Sequence, residues 1–173
     1  SLPPILIGSH TDTVPGGGNY DGVLGVLSGI AVVRAMNRNG ITLKHPLEVI
    51  NFSGEEAVAP GGTFGSRVMT DNFDPGLLDQ PVYCGGSFRE LLEEAGINPS
   101  DLTTATRGNG SVAAYVELHI EQGPILEHER KSIGVVTGAL AQKWYDLSIT
   151  GFESHAGPTP MKLRKDALLG AAE

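Results

Sequence analysis

Apolar residues in this chain arrive in two rhythms, short continuous runs and longer stretches of helical spacing, and the two alternate. Pro4 to Ser9 is too short and too continuously apolar for an amphipathic helix, so it predicts a buried strand. The glycines Gly16 to Gly18 then mark a loop. From Asp21 to Asn39, Val23, Leu24, Val26, Leu27, Ile30, Val33 and Met36 cover a broad helical face, with Asp21 near the positive end and Gly40 just past the other. This predicts a helix packed largely inside. Leu47 to Phe52 predicts the next strand, and the loop Ala57 to Thr63 leads to a short helix through Arg67 and Met69. Between Asp71 and Gly110 the pattern is irregular and predicts a surface excursion, apart from a helix from about Ser87 to Ala95 that Gly96 terminates.

Tyr115 to Glu121 alternates cleanly, which puts Val116, Leu118 and Ile120 on one face and Tyr115, Glu117, His119 and Glu121 on the other. Ser132 to Thr137 and Trp144 to Phe152 read as two further strands, and Pro158 and Pro160 precede a final helix beginning near Met161. Strands alternating with helices imply an α/β fold with a mainly parallel or mixed sheet. The change near Gly138, where strand follows strand, is the expected domain boundary. The chain enters a strand directly after Ser1 and stops at Glu173 within a predicted helix, so both ends are expected to be incomplete.

Composition narrows the class without naming it. With 173 residues, 40% hydrophobic and 18% charged, the chain can bury a core and is not disordered. No run approaches the roughly 18 to 20 continuous apolar residues of a membrane helix, and no secretory leader pattern opens the chain, so a cytoplasmic location is the expectation. Cys84 stands alone, which excludes a disulfide within the chain. A formal charge of -8 excludes a general nucleic-acid surface, which needs clustered Lys and Arg.

The candidate chemistry sits where apolar runs end. His10 and Asp12 follow the first strand, the usual place for functional groups in an open α/β sheet, and Asp21 can reach the same point across the glycine loop. An imidazole with two carboxylates suits a divalent metal, with Asp12 orienting His10 and Asp21 bridging two cations. A plainer account has Asp12 capping a turn and Asp21 capping the helix. After the second strand, Glu55 and Glu56 divide naturally into a base that takes a proton from the attacking water and a metal ligand, though adjacent acids are also common on solvated loops. His119 shares its predicted face with acids. His45 and His128 read as surface residues. His155, in a tight turn at Ser154 to Pro160, has the chemistry to donate a hydrogen bond to developing oxyanion charge.

Taken together, the strings GSHTDTV, GGNYDGVLGV, SGEE, GSR at Gly65 to Arg67, YVELHIEQGP, GVVTG and HAGPTPMKLRKDAL closely resemble the M20 metallopeptidase-like amidohydrolases. The likeness is to the branch of N-carbamoyl-L-amino acid hydrolases, dimetal β-ureidopropionases and allantoate amidohydrolases, and it runs from about Leu2 to the last residue. HIEQG together with HAGPTPM is the specific signature of that branch, because ordinary M20 peptidases lack HIEQG.

The resemblance implies a zinc-peptidase-like, three-layer α/β catalytic domain with a mixed sheet over residues 1–137. Residues 138–173 would begin a smaller α+β lid and dimerisation domain. It further implies two divalent ions per subunit, zinc or manganese, with cobalt or nickel as other options. By resemblance His10 and His119 hold one ion, Asp21 bridges, Glu56 holds the other and Glu55 is the general base. Asp12 orients His10, Gln122 contacts substrate, and His155 completes the partner subunit's site in a homodimer. The implied reaction is hydrolysis of the ureido bond of N-carbamoyl-L-amino acids or N-carbamoyl-β-alanine, with allantoate as the alternative substrate. A non-catalytic metal-binding or dimerisation module is the reading from another class. The family's remaining metal-binding histidine and its carboxylate-gripping residues lie further downstream, so weak metal occupancy is expected of this chain alone. The loop Ala57 to Gly62 departs from the usual family pattern and bears on substrate more than on chemistry.

Overall fold

A computed structural model describes residues 2–56, 58–141, 143 and 145–172. The chain forms two compact units, Ser1–Ser132 and Ile133–Glu173.

The first unit is built on strand β1 (Ile5–His10), helix α1 (Val23–Arg38), strand β2 (Leu47–Phe52), helices α2 (Phe64–Met69) and α3 (Phe88–Glu94), strand β3 (Ala114–Val116) and the single-turn helix α4 (Ile125–His128). Its sheet runs in the order β2-β1-β3 with both pairings parallel. β1 is therefore central, which explains its continuous apolar run and the complete burial of Leu6. The parallel crossover from β1 to β2 requires a long connection, and α1 provides it.

α1 lies close on the sheet because glycines face it. A Cβ on Gly25 would stand 2.6 Å from the Ser9 Cβ and 2.5 Å from the Leu118 carbonyl oxygen, so no larger residue fits without moving the helix. Only Gly25, Val26 and Gly29 of this helix are buried, while Leu27 and Ile30 are exposed. The expectation of a helix packed largely inside is corrected accordingly: hydrophobic residues cover more of the helix than the sheet does. Asn39 ends it, and Gly40 follows with φ of 63°, in the left-handed region its predicted role requires.

Among the described residues, a core of buried side chains forms away from the sheet. Ala59, Phe64, Val68, Leu78, Val82, Phe88 and Leu92 form one core, with Phe73, Leu91 and Leu102 packed against it. Phe64 meets Phe73 and Phe88 edge to face, with ring centroids 5.2 and 4.9 Å apart. Residues 71–110 are thus no mere surface excursion. Their apolar residues sit in turns and short 3-10 segments at Pro75–Asp79 and Pro99–Ala105, so they meet in space without showing a period in sequence. α3 forms where expected because Ser87 and Glu90 make a reciprocal capping box.

Three strand expectations are corrected. β3 stops at Val116, so the alternation from Tyr115 to Glu121 does not run as one strand. Ser132 to Thr137, at the start of the second unit from Ile133 onward, and the described part of Trp144 to Phe152 within it form no strand, Trp144 itself lying outside the described residues. A strand needs a neighbour for its peptide groups, and the bridge between Phe152 and Lys165 is the one pairing among the described residues there. Val135, Val136 and Leu140 are correspondingly more than four-fifths exposed. The unit's helix α5 (Ala167–Ala172) follows a 3-10 turn at Met161–Leu163. Among the described residues, no helix is long and apolar enough to cross a membrane.

Phe88→Ala is expected to cost about 3–5 kcal/mol, since it empties the centre of the aromatic cluster. Arg89→Ala removes only the exposed pair with Asp79 and is expected to cost less than about 1 kcal/mol. Urea unfolding of both variants measures the contrast.

Candidate metal centre

Three lone pairs converge at the carboxyl end of β1. His10 closes that strand, Asp21 precedes α1, and His119 follows β3. His10 and Asp21 are buried and His119 is half-buried. One ligand atom from each lies within 4.8 Å of the others. The His10 Nε2 stands 3.3 Å from the His119 Nε2, which in turn stands 3.3 Å from the Asp21 Oδ1. Glu56 joins from the end of β2, with its Oε1 3.8 Å from the His10 Nε2.

The hydrogen bonds behind the rings decide what these atoms offer. His10 Nδ1 is 2.7 Å from the Asp12 carbonyl oxygen and His119 Nδ1 is 2.8 Å from the Ile120 carbonyl oxygen. A carbonyl only accepts, so each Nδ1 carries the proton and donates. In the neutral rings both Nε2 atoms then present lone pairs to each other and to a carboxylate. Such an arrangement calls for positive charge in its midst, and two imidazole nitrogens with carboxylate oxygens suit a divalent transition metal. The donor set therefore fits a metal ion.

The surrounding residues keep that geometry. A Cβ on Gly22 would stand 2.3 Å from the His10 ring, and its φ of 65° is itself left-handed, so glycine is required on both counts. The orienting contact on His10 comes from the Asp12 main chain and not from its carboxylate. That carboxylate instead accepts from the Glu56 amide at 2.9 Å through Oδ2, while its buried Oδ1 has no hydrogen-bond partner among the described residues. Asp12 thus couples the turn after β1 to Glu56, the residue bearing the fourth donor group.

Glu55 and Glu56 take different partners. The Glu55 carboxylate accepts from the Ser66 amide at 2.8 Å and the Ser66 hydroxyl at 2.7 Å, which fixes it against α2. Gln122 donates its amide to Asp21 Oδ1 at 3.0 Å, from a main chain held at φ of 55°. Glu121 accepts from the Ile125 and Leu126 amides, which engages its carboxylate at the start of α4. In the second unit, His155 is exposed, and its Nδ1 accepts from the Gly157 amide at 3.0 Å.

Sequence reasoning missed Ser9, Ser66 and the Tyr115 hydroxyl. Ser9 donates to the Glu117 carboxylate and Tyr115 to the Gly8 carbonyl. Ser9 and Tyr115 could have been found by adjacency, since Ser9 precedes His10 and Tyr115 lies two residues before Glu117, whereas Ser66 is eleven residues from Glu55 and carries no such signal. Burial, with the Glu117 charge beside it, raises the Tyr115 phenol well above its ordinary 10.0.

That shift sets a pH dependence. Below pH 10 the phenol is protonated in folded and unfolded chains alike. From about pH 10 upward the unfolded chain loses the proton first, so stability is expected to fall as pH rises. Alkaline titration followed by tyrosinate absorbance should show one late-ionising tyrosine of the four, absent in Tyr115→Phe.

Comparison with known proteins follows the same outline. The chain is 44% identical over 170 residues to the N-carbamoyl-L-amino acid amidohydrolase of Geobacillus stearothermophilus, a match covering 98% of this chain and 42% of that protein. It is 40% identical over 178 residues to the allantoate deiminase of Arabidopsis thaliana, covering 100% of this chain and 34% of that one. The crystal structure of a hydantoinase/carbamoylase family amidase from Burkholderia multivorans superposes with a TM-score of 0.80 at 43% identity, over 99% of this chain and 41% of that chain. This chain thus spans about two fifths of the length of such relatives. The family model for peptidase family M20/M25/M40 matches residues 6–173, and with it the chain belongs to that metal-dependent family.

Proposed function

We propose that the protein hydrolyses the ureido bond of N-carbamoyl-L-amino acids or N-carbamoyl-β-alanine, consuming one water and releasing the amino acid, ammonia and carbon dioxide. The observation that carries this reading is the convergence of the His10 and His119 lone pairs on the Asp21 carboxylate, with Glu56 beside it. The name borne by the relative from Geobacillus stearothermophilus supports the substrate class.

In this reading residues 1–137 belong to the catalytic domain and residues 138–173 begin a lid and dimerisation domain. His10 and His119 would hold one divalent ion, zinc or manganese, and Glu56 a second, with Asp21 shared between them. When bound, such ions would supply positive charge to polarise the ureido carbonyl and ease ionisation of the attacking water. Glu55 takes that water's proton and passes it to the leaving nitrogen. The two hydrogen bonds from Ser66 hold the base in one orientation for this work. Asp12 orients His10 through its carbonyl oxygen. Gln122 steadies Asp21 and contacts substrate from the same segment. His155, exposed on the second unit, donates to the oxyanion in the partner subunit of a cytoplasmic homodimer.

A second reading takes allantoate as substrate, favoured by the 40% identity to an allantoate deiminase. Allantoate also presents a ureido group beside a carboxylate. A module that only binds metal has no use for Glu55 fixed at Ser66, which speaks against that alternative.

Assay of the full-length protein on N-carbamoyl-L-amino acids, N-carbamoyl-β-alanine and allantoate distinguishes the substrates. The first two are expected to turn over best, and turnover of none overturns the enzymatic reading. Glu55→Gln is expected to lower kcat by about a hundred- to ten-thousand-fold with metal content unchanged. His119→Ala is expected to lose bound metal, measured by elemental analysis after dialysis.

A further inference from the structure

β1 and β3 are paired only as far as Ile7 opposite Val116. Beyond that point Glu117 to Ile120 belong to no strand, yet His119 is brought within 3.3 Å of His10. The sheet cannot be what aligns the two imidazoles.

Side chains take over where the ladder stops. Ser9, fully buried, donates its hydroxyl to the Glu117 carboxylate. Its Cβ is packed under Gly25, so the hydroxyl has no route to bulk water and depends on this acceptor. Tyr115 adds a second tie by donating to the Gly8 carbonyl at 3.1 Å. Ser9 directly precedes His10, and Glu117 stands two residues before His119. One hydrogen bond therefore joins the two ligand-bearing segments immediately behind their imidazoles, across 108 residues of chain.

We infer that the Ser9–Glu117 hydrogen bond is a positioning clamp that sets the spacing of the His10 and His119 imidazoles. The inference rests on the metal-centre reading for its consequence but not for its geometry. Neither residue is a ligand. Their contribution is to remove the freedom of the Glu117–His119 segment before a metal arrives, so that less ordering is left for binding to supply.

The test uses the full-length protein, zinc as the probe, and four variants: Ser9→Ala, Glu117→Ala, the double variant and Glu117→Gln. In the metal-free protein, the nuclear Overhauser contact between the His10 and His119 rings should weaken in the alanine variants and persist in Glu117→Gln, whose amide oxygen still accepts from Ser9. By calorimetry, each alanine variant should bind zinc about 10–100-fold more weakly, the loss typical of an outer-shell partner. The double variant should lose no more than either single one, and Glu117→Gln should stay within about threefold of the parent. Unchanged ring contact and zinc affinity in Glu117→Ala would overturn the inference. So would additive losses, or a loss in Glu117→Gln equal to that in Glu117→Ala, which would assign the effect to charge. If the parent protein binds no zinc, the metal-centre reading fails, while the ring contact in the metal-free protein still decides the clamp.

Discussion

Two imidazole lone pairs pointed at one carboxylate are repulsive neighbours unless positive charge sits between them. That constraint organises the carboxyl end of this sheet. Each ring is locked from behind by a main-chain carbonyl, so neither can rotate its donor nitrogen inward and relieve the repulsion. The structure holds the three groups together regardless, which means that packing and hydrogen bonding elsewhere supply the restraint. The chain belongs to the metal-dependent M20 family, and this donor set fits a metal ion.

The restraint comes from glycines and buried hydroxyls more than from hydrophobic bulk. Gly22 lets the start of α1 pass over the His10 ring, and Gly25 lets the same helix rest on Ser9 and on the Leu118 carbonyl. A helix held at ordinary distance would leave a gap there, with Asp21 further from both rings. The aromatic core around Phe64 and Phe88 works at one remove, because α2 carries both Phe64 of that core and Ser66, the residue that grips Glu55. Stability in the segment after β2 is thus coupled to the placement of an acid.

The two units differ in how far they meet the demands of their own sequence. In the first, nearly every predicted element forms, since each has a neighbour to pack against or pair with. In the second, the described apolar residues of strand-like segments stay exposed and outside any strand, because pairing and not composition makes a strand.

What could be read from the sequence alone was local or carried by motif. Continuous apolar runs identified β1 and β2, helical spacing and Gly40 identified α1, and the segment from Ser87 to the terminating Gly96 identified α3, because each of these signals lies within a few residues of what it specifies. The identities of His10, Asp21, Glu56 and His119 were legible as metal-type donors at the ends of those elements. Only the tertiary structure decided which atoms they present. That Asp12 orients His10 through its carbonyl, that Gln122 rests on Asp21, and that Ser66 holds Glu55 depend on contacts between residues brought together by folding. The core formed by Phe64, Leu78 and Phe88 was illegible for the same reason: its members share no helix or strand period, and only the folded chain makes them neighbours.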